Sequence, residues 1–189
     1  MTSNELVEVI QDTPVISAIR DMKYLDEALK SQSDIIFILT GDIMNLEAVV
    51  QKCHEHKKIV FVHLDLIKGF SRDVSAIRFI KEKIKSDGVI STKNSLLKTA
   101  KSEGLFTILR IFMLDSSSFE IAAKSVHEIR PNAVEIMPGV VPKVIEKACS
   151  HLRVPIIAGG LIENKKEVVM ALKNGATGIS TTDVRLWNE

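Results

Sequence analysis

VPIIAGGLIENKKEVVMALKNGATGISTT, residues Val154–Thr182, holds one complete strand–turn–helix–turn–strand unit. Pro155–Ala158 is a short apolar run ended by Gly159 and Gly160. Glu167–Lys173 has helical spacing, with Val168, Val169 and Leu172 on one side. Asn174-Gly175 closes that helix, where a left-handed residue is needed and glycine has no Cβ to clash. Ala176–Ser180 reads as a second buried strand, followed by the hydroxyls of Ser180, Thr181 and Thr182. Glycines after one parallel strand and hydroxyls after the next are the parts of a phosphate cradle. Backbone N–H groups face the anion there, as in the loops after strands 7 and 8 of a (β/α)8 barrel. The candidate phosphate-binding residues are Gly159, Gly160, Leu161, Ser180, Thr181 and Thr182.

Upstream, the same unit repeats. Strand-like runs lie at Val15–Arg20, Ile35–Thr40, Ile59–Asp65, Gly88–Thr92, Phe106–Leu114 and Ala133–Met137. Helical patterns separate them, and Ser3–Gln11 adds a short helix in front. The strands are continuous Val/Ile-rich runs, as expected when both faces are covered. Alternating strand and helix requires a parallel sheet with right-handed crossovers. Eight strands with a phosphate signal at the last two favour closure over a doubly wound sheet. The expected fold is α/β: a compact (β/α)8 TIM-type barrel with a short N-terminal helix. Residues 1–189 are read as a single domain, since no linker interrupts the series.

Such a barrel is short of material, because typical examples use roughly 250 residues. Only DVRLWNE follows Thr182, too little for a full eighth helix, so the last helix is expected to be truncated. Leu186 and Trp187 either cover that thin flank or meet a partner subunit. Exposed apolar surface there leads to the expectation of a homodimer.

Composition bounds the function. A 189-residue chain that is 46% hydrophobic, with 25 Lys and Arg against 24 Asp and Glu, suits a globular domain but attracts nucleic acid only through a local patch. No apolar leader or membrane-length run is seen, so no membrane association is expected. Cys53 and Cys149 are unclustered, which suits a reducing cytoplasm and offers no metal site. No Walker loop, GxGxxG or zinc spacing occurs, and no cofactor or metal is expected.

Alternation along the strands picks out polar lumen candidates: Arg20, His63, Asp65, Ser91, Lys93, Arg110 and Glu135. They read either as a structural ion-pair network or as ligand contacts at the C-terminal strand ends. Lys93 could also serve as a Schiff-base lysine, although an anion-binding or salt-bridged lysine is the commoner outcome. Around the same mouth, the loop IKGFSRD carries Lys68 and Arg72, Lys143 opens one helix, and Lys165 and Lys166 open another. Lysine at a helix N-terminus opposes the macrodipole, so its presence suggests that anions approach. Phe70 beside Arg72 is expected to be exposed and able to stack an unpaired base. These six residues are the candidate RNA contacts.

Taken together, several segments are similar to those of the glycerol uptake operon antiterminator family. They are His63-Leu64-Asp65-Leu66, Ser91-Thr92-Lys93, Arg110-Ile111-Phe112, Leu114-Asp115-Ser116, Glu135-Ile136-Met137-Pro138-Gly139, Ile157–Ile162, and Ser180–Thr182 with Leu186-Trp187. Met137 stands where leucine is expected. The resemblance spans about Val15 to Trp187. It implies a non-catalytic cytoplasmic regulator that senses glycerol 3-phosphate and acts on leader mRNA to prevent premature termination. The competing class is a sugar-phosphate aldolase, epimerase or isomerase, with Lys93 or the Asp65 and Glu135 carboxylates doing acid–base work.

Overall fold

The computed structural model describes residues 2–189. Helix α1 (Ser3–Asp12) opens on a capping box. The Thr2 hydroxyl accepts from Glu5 N–H, and the Glu5 carboxylate accepts from Thr2 N–H. Strands and helices then alternate: β1 (Val15–Ile19), α2 (Leu25–Lys30), β2 (Ile35–Ile38), α3 (Leu46–Glu55), β3 (Ile59–His63) and α4 (Val74–Phe79). The α4 helix continues into a π-helical turn over Ile80–Ile84. The series goes on with β4 (Gly88–Ser91), α5 (Asn94–Ser102), β5 (Phe106–Phe112), α6 (Ser117–Ile129), β6 (Ala133–Met137) and α7 (Pro142–Leu152). It ends with β7 (Ile156–Gly159), α8 (Lys165–Lys173), β8 (Gly178–Thr181) and a 3-10 turn over Val184–Leu186.

The eight strands are parallel and close into a barrel. Closure pairs Ile16 of β1 with Ser180 of β8. Nearly every strand residue is buried, as the two-faced apolar runs require. The period of two splits these side chains between two cores. Ile19, Ile38, Val62, Val89, Val134 and Ile179 pack outward on the helices. Ile16, Ala18, Phe37, Phe61, Ile108 and Ile157 fill the lumen and meet Leu6 and Ile10 of α1, which plugs the bottom mouth. Phe37 and Phe61 stack edge to face at 5.7 Å. Among the described residues, no helix is long and apolar enough to cross a membrane.

The flank at β8 corrects one expectation. Leu186 and Trp187 are buried in the outer core rather than presented to a second subunit. The Trp187 indole N–H donates to the Thr181 carbonyl at 2.9 Å, and the Ser33 hydroxyl lies 3.4 Å from the Trp187 carbonyl. Asn188 accepts from the Gln32 N–H at 3.0 Å. Residues that follow β8 thus cover the gap where a helix after β8 would pack, and among the described residues the apolar patch that motivated a dimer does not form.

Phe70 is a second correction. It packs half-buried against the outer core, edge to face with Phe79 at 5.8 Å. An apolar ring with an aromatic neighbour in reach gains more from that contact than from water. Its loop is also pinned, because Lys68 pairs through its backbone with Asp42, Ile43 and Gly41 of the preceding βα loop.

Candidate functional site

A cavity of about 760 Å³ opens at the C-terminal mouth, off-centre, above β1, β2 and β5–β8. Its floor is a buried ion pair. The register sets Arg110 of β5 beside Glu135 of β6, and Arg110 Nε donates to Glu135 Oε2 at 2.6 Å. The Ser180 hydroxyl donates to Glu135 Oε1 at 2.5 Å. Both charged side chains are nearly sealed from water, at 4% and 0% exposed. Arg110 still has an unused donor, since its Nη2 is buried without a partner.

Gly159 and Gly160 do different jobs here. A Cβ on Gly159 would fall 2.5 Å from Ser180 Oγ and 2.7 Å from Glu135 Oε1, so its absence makes room for that hydrogen bond. Gly159 therefore supports the floor without lining the cavity. Gly160 lines it, with φ +77°, and Leu161 follows at φ 63°. The β7–β8 register, which sets Gly159 beside Ser180, draws the Gly160 N–H into the ladder, whereas the N–H groups of Leu161 and Thr182 follow the last paired residues at the same wall. Thr181 lines the same wall, but its hydroxyl is committed. It donates to the Ile162 carbonyl at 2.8 Å and accepts from Asp183 N–H at 3.1 Å, tying the seventh loop to the eighth.

Arg20, at the end of β1, reaches the cavity and is paired with no carboxylate among the described residues. Three charged lining residues were not foreseen: Glu163, Asp183 and Arg185. Asp183 caps the final 3-10 turn and is gripped by the Arg185 guanidinium, with Nε at 2.9 Å. That hydrogen bond holds the Asp183 carboxyl below its ordinary range. No spacing flags these residues; the only available signal was position, Glu163 in the loop after β7 and Asp183 and Arg185 just after β8.

His63 points into the lumen, yet neither it, Asp65 nor Lys93 lines the cavity. A 3-10 turn over Leu64–Leu66 ends β3 early and carries Asp65 aside. There Asp65 Oδ2 accepts from the Ser91 hydroxyl and the Thr92 N–H, both at 2.9 Å. Ser91 and Lys93 correct the alternation. Ile90 occupies the lumen, so Ser91 falls on the outer parity with Val89, and Lys93 serves as the N-cap position of α5. Of the mouth cations, Lys165 is paired with Glu189, while Lys68, Arg72, Lys143 and Lys166 are exposed. Among the described residues, no three His, Cys, Asp or Glu could hold a metal ion.

Burial, reinforced by the Arg110 guanidinium and opposed by Asp65, pushes the His63 imidazole down to about 4. Its folded pKa lies below the unfolded value of about 6.5. Between those values the unfolded chain binds the extra proton, so stability is complete above pH ~6.5 and drains away as pH falls toward 4. At about 1.4 kcal/mol per unit, the loss is roughly 3 kcal/mol. Urea unfolding across this window should show that decline in the wild type and a flatter profile in His63→Gln. Equal slopes would contradict a buried neutral His63.

A family model described as "Glycerol-3-phosphate responsive antiterminator" matches residues 15–187. The chain is 37% identical over 182 residues to the uncharacterized protein YgcP of Escherichia coli strain K12, covering 96% of this chain and 95% of that protein. The crystal structure of the glycerol uptake operon antiterminator regulatory protein of Listeria monocytogenes superposes with a TM-score of 0.89 at 31% identity, over 93% of this chain and 95% of that one. A glycerol uptake operon antiterminator-related protein of Thermotoga maritima gives 0.82 at 34%, over 93% and 98%.

Proposed function

Because the chain belongs to the glycerol-3-phosphate responsive antiterminator family, we propose that this single-domain barrel binds glycerol 3-phosphate in its C-terminal mouth. In the cytoplasm, the bound state acts on the leader mRNA of glycerol-utilisation genes. The observation that carries the ligand assignment is the wall where Leu161 and Thr182, whose N–H groups lie beyond the strand ladder, share one cavity with Arg20. Backbone donors and a free guanidinium suit a phosphate dianion. Arg110 Nη2 then offers a buried donor to a glycerol hydroxyl, and Glu135 holds that guanidinium in place.

This is recognition machinery, and no step of bond making is needed to explain it. The Schiff-base alternative loses its support, because Lys93 lies outside the cavity. Acid–base work by Asp65 is likewise disfavoured, since one of its oxygens is spent on the neighbouring loop.

Calorimetric titration with glycerol 3-phosphate, glycerol and inorganic phosphate tests the assignment. Glycerol 3-phosphate should bind at least tenfold more tightly than either fragment, a difference of about 1.4 kcal/mol. Arg20→Ala should erase most of that advantage. Equal affinity of the phosphate ester and glycerol, or an unaffected Arg20→Ala, would remove the phosphate from this wall. Leader RNA should bind more tightly with the ligand present, by a factor of roughly 5–150, and the ligand more tightly with RNA by the same factor.

A further inference from the structure

The opposite face of the barrel carries a second concavity. A groove of about 340 Å³ lies between the C-terminal ends of α6 and α7. His127 and Arg130 stand on one side, His151 and Arg153 on the other, over a floor that includes Pro131 and Val154. No carboxylate lines it. All four basic side chains are exposed, and among the described residues Arg130, Arg153 and His127 take part in no ion pair.

Backbone conformation makes this arrangement more than a scatter of surface cations. Arg130 and Arg153 end their helices in the left-handed region, at φ 51° and 42°. Glycine or asparagine occupies such positions with least strain, and arginine does so at a cost. Lys57 and Lys85 exit their helices the same way, at φ 60° and 58°. A cation near a helix C-terminus complements the macrodipole, which accounts for charge at these exits in general. It does not account for two unpaired arginines converging on one acid-free groove. The mouth face differs, since Asp73 adjoins Arg72, Asp42 lies beside Lys68 across a backbone bridge, and Glu163 and Asp183 line the cavity.

We infer that the α6–α7 groove on the bottom face is where the RNA backbone docks, with Arg130 and Arg153 each taking a phosphate. Two guanidiniums on either side of the groove can each take a phosphate of a single strand, whose sugars can rest on the half-buried Val154. Effector and RNA then occupy opposite ends of the barrel, and two anions need not crowd one face. This inference rests on the RNA-acting part of the function proposed above.

The test uses the full chain, saturated with glycerol 3-phosphate, and the 5′ leader transcript of the host's glycerol-uptake operon. Binding is followed by fluorescence anisotropy at several salt concentrations. Arg130→Gly/Arg153→Gly relieves left-handed strain, so its unfolding midpoint should not fall, and its glycerol 3-phosphate affinity should match the wild type. RNA affinity should drop at least about tenfold, and the slope of log affinity on log salt should shrink by about 1.4, the value for two lost single-strand phosphate contacts. Arg130→Gln/Arg153→Gln, which keeps side-chain bulk, should show the same loss. Unchanged affinity in both variants overturns the inference. If Lys143→Ala/Lys166→Ala weakens binding instead, the RNA sits at the mouth. A wild type that binds glycerol 3-phosphate but no leader RNA removes the RNA reading and the groove together, leaving the effector site standing.

Discussion

Arg110→Met will cost the protein about 3–5 kcal/mol of folding stability, the usual penalty for removing one partner of a buried ion pair. Glu135 would be left with 0% exposure and only the Ser180 hydroxyl for company. The loss comes from stranding a charge, so it should be largely relieved when the charge goes too. Arg110→Met/Glu135→Met fills the lumen with unbranched apolar chains and should recover much of the deficit, because apolar replacements of a whole buried pair are often near neutral. Denaturant unfolding of the two variants measures the difference. Glycerol 3-phosphate binding should be lost in both, since each lacks the Nη2 donor of Arg110. A single substitution costing under about 1 kcal/mol would mean that the pair is wetter and weaker than its geometry indicates.

Gly160→Val will weaken glycerol 3-phosphate binding by roughly ten- to a hundredfold for each backbone hydrogen bond denied to the phosphate. This follows from about 1.5–3 kcal/mol for a hydrogen bond to a charged group. The first atom of the new side chain has room, lying 3.5 Å from Met137 Cε, but it projects toward a residue that lines the cavity. A β-branched residue at φ +77° is also strained, so some stability is lost with the affinity. Gly160→Ala separates the two effects, because it carries the conformational penalty with little bulk. Gly159→Val should behave in the opposite sense. Its branch would drive into Ser180 and Glu135, destabilising the floor first. If Gly160→Val binds the effector normally, the phosphate lies elsewhere in the mouth.

Much of this architecture was legible in the chain because its signals are local and repeated. Val/Ile runs bounded by glycine, asparagine or serine located all eight strands to within a few residues, and the truncation after β8 followed from seven leftover residues. Alternation placed His63, Arg110 and Glu135 inside, where regular strands carry them. It failed where strands stop being regular. The turn at Leu64–Leu66 breaks the period and moves Asp65, while Ile90 rather than Ser91 takes the inward parity. On α8 the buried face uses Val168 and Ala171, with Val169 left 40% exposed. Phe70 and Trp187 illustrate another limit. Phe70 reads as a surface aromatic, and Trp187 as either flank cover or partner contact, until the elements around them are in place. The basic groove was divided among residues far apart in sequence and in two loops. The convergence of His127 and Arg130 with His151 and Arg153 needs the packing of α6 on α7.

The strand pairing that closes the barrel also sets when it can close. Val15 pairs with Ile179, so β1 leaves the ribosome long before its second neighbour has been made. At about 5–20 residues per second, that wait is roughly ten to thirty seconds. During it, one edge of β1 stays open, with its backbone groups available to any other extended chain. The residues that end the wait, Ser180 to Trp187, also supply one wall of the mouth cavity and the indole that ties down the Thr181 carbonyl. A nascent chain still short of Trp187 therefore has no completed mouth cavity.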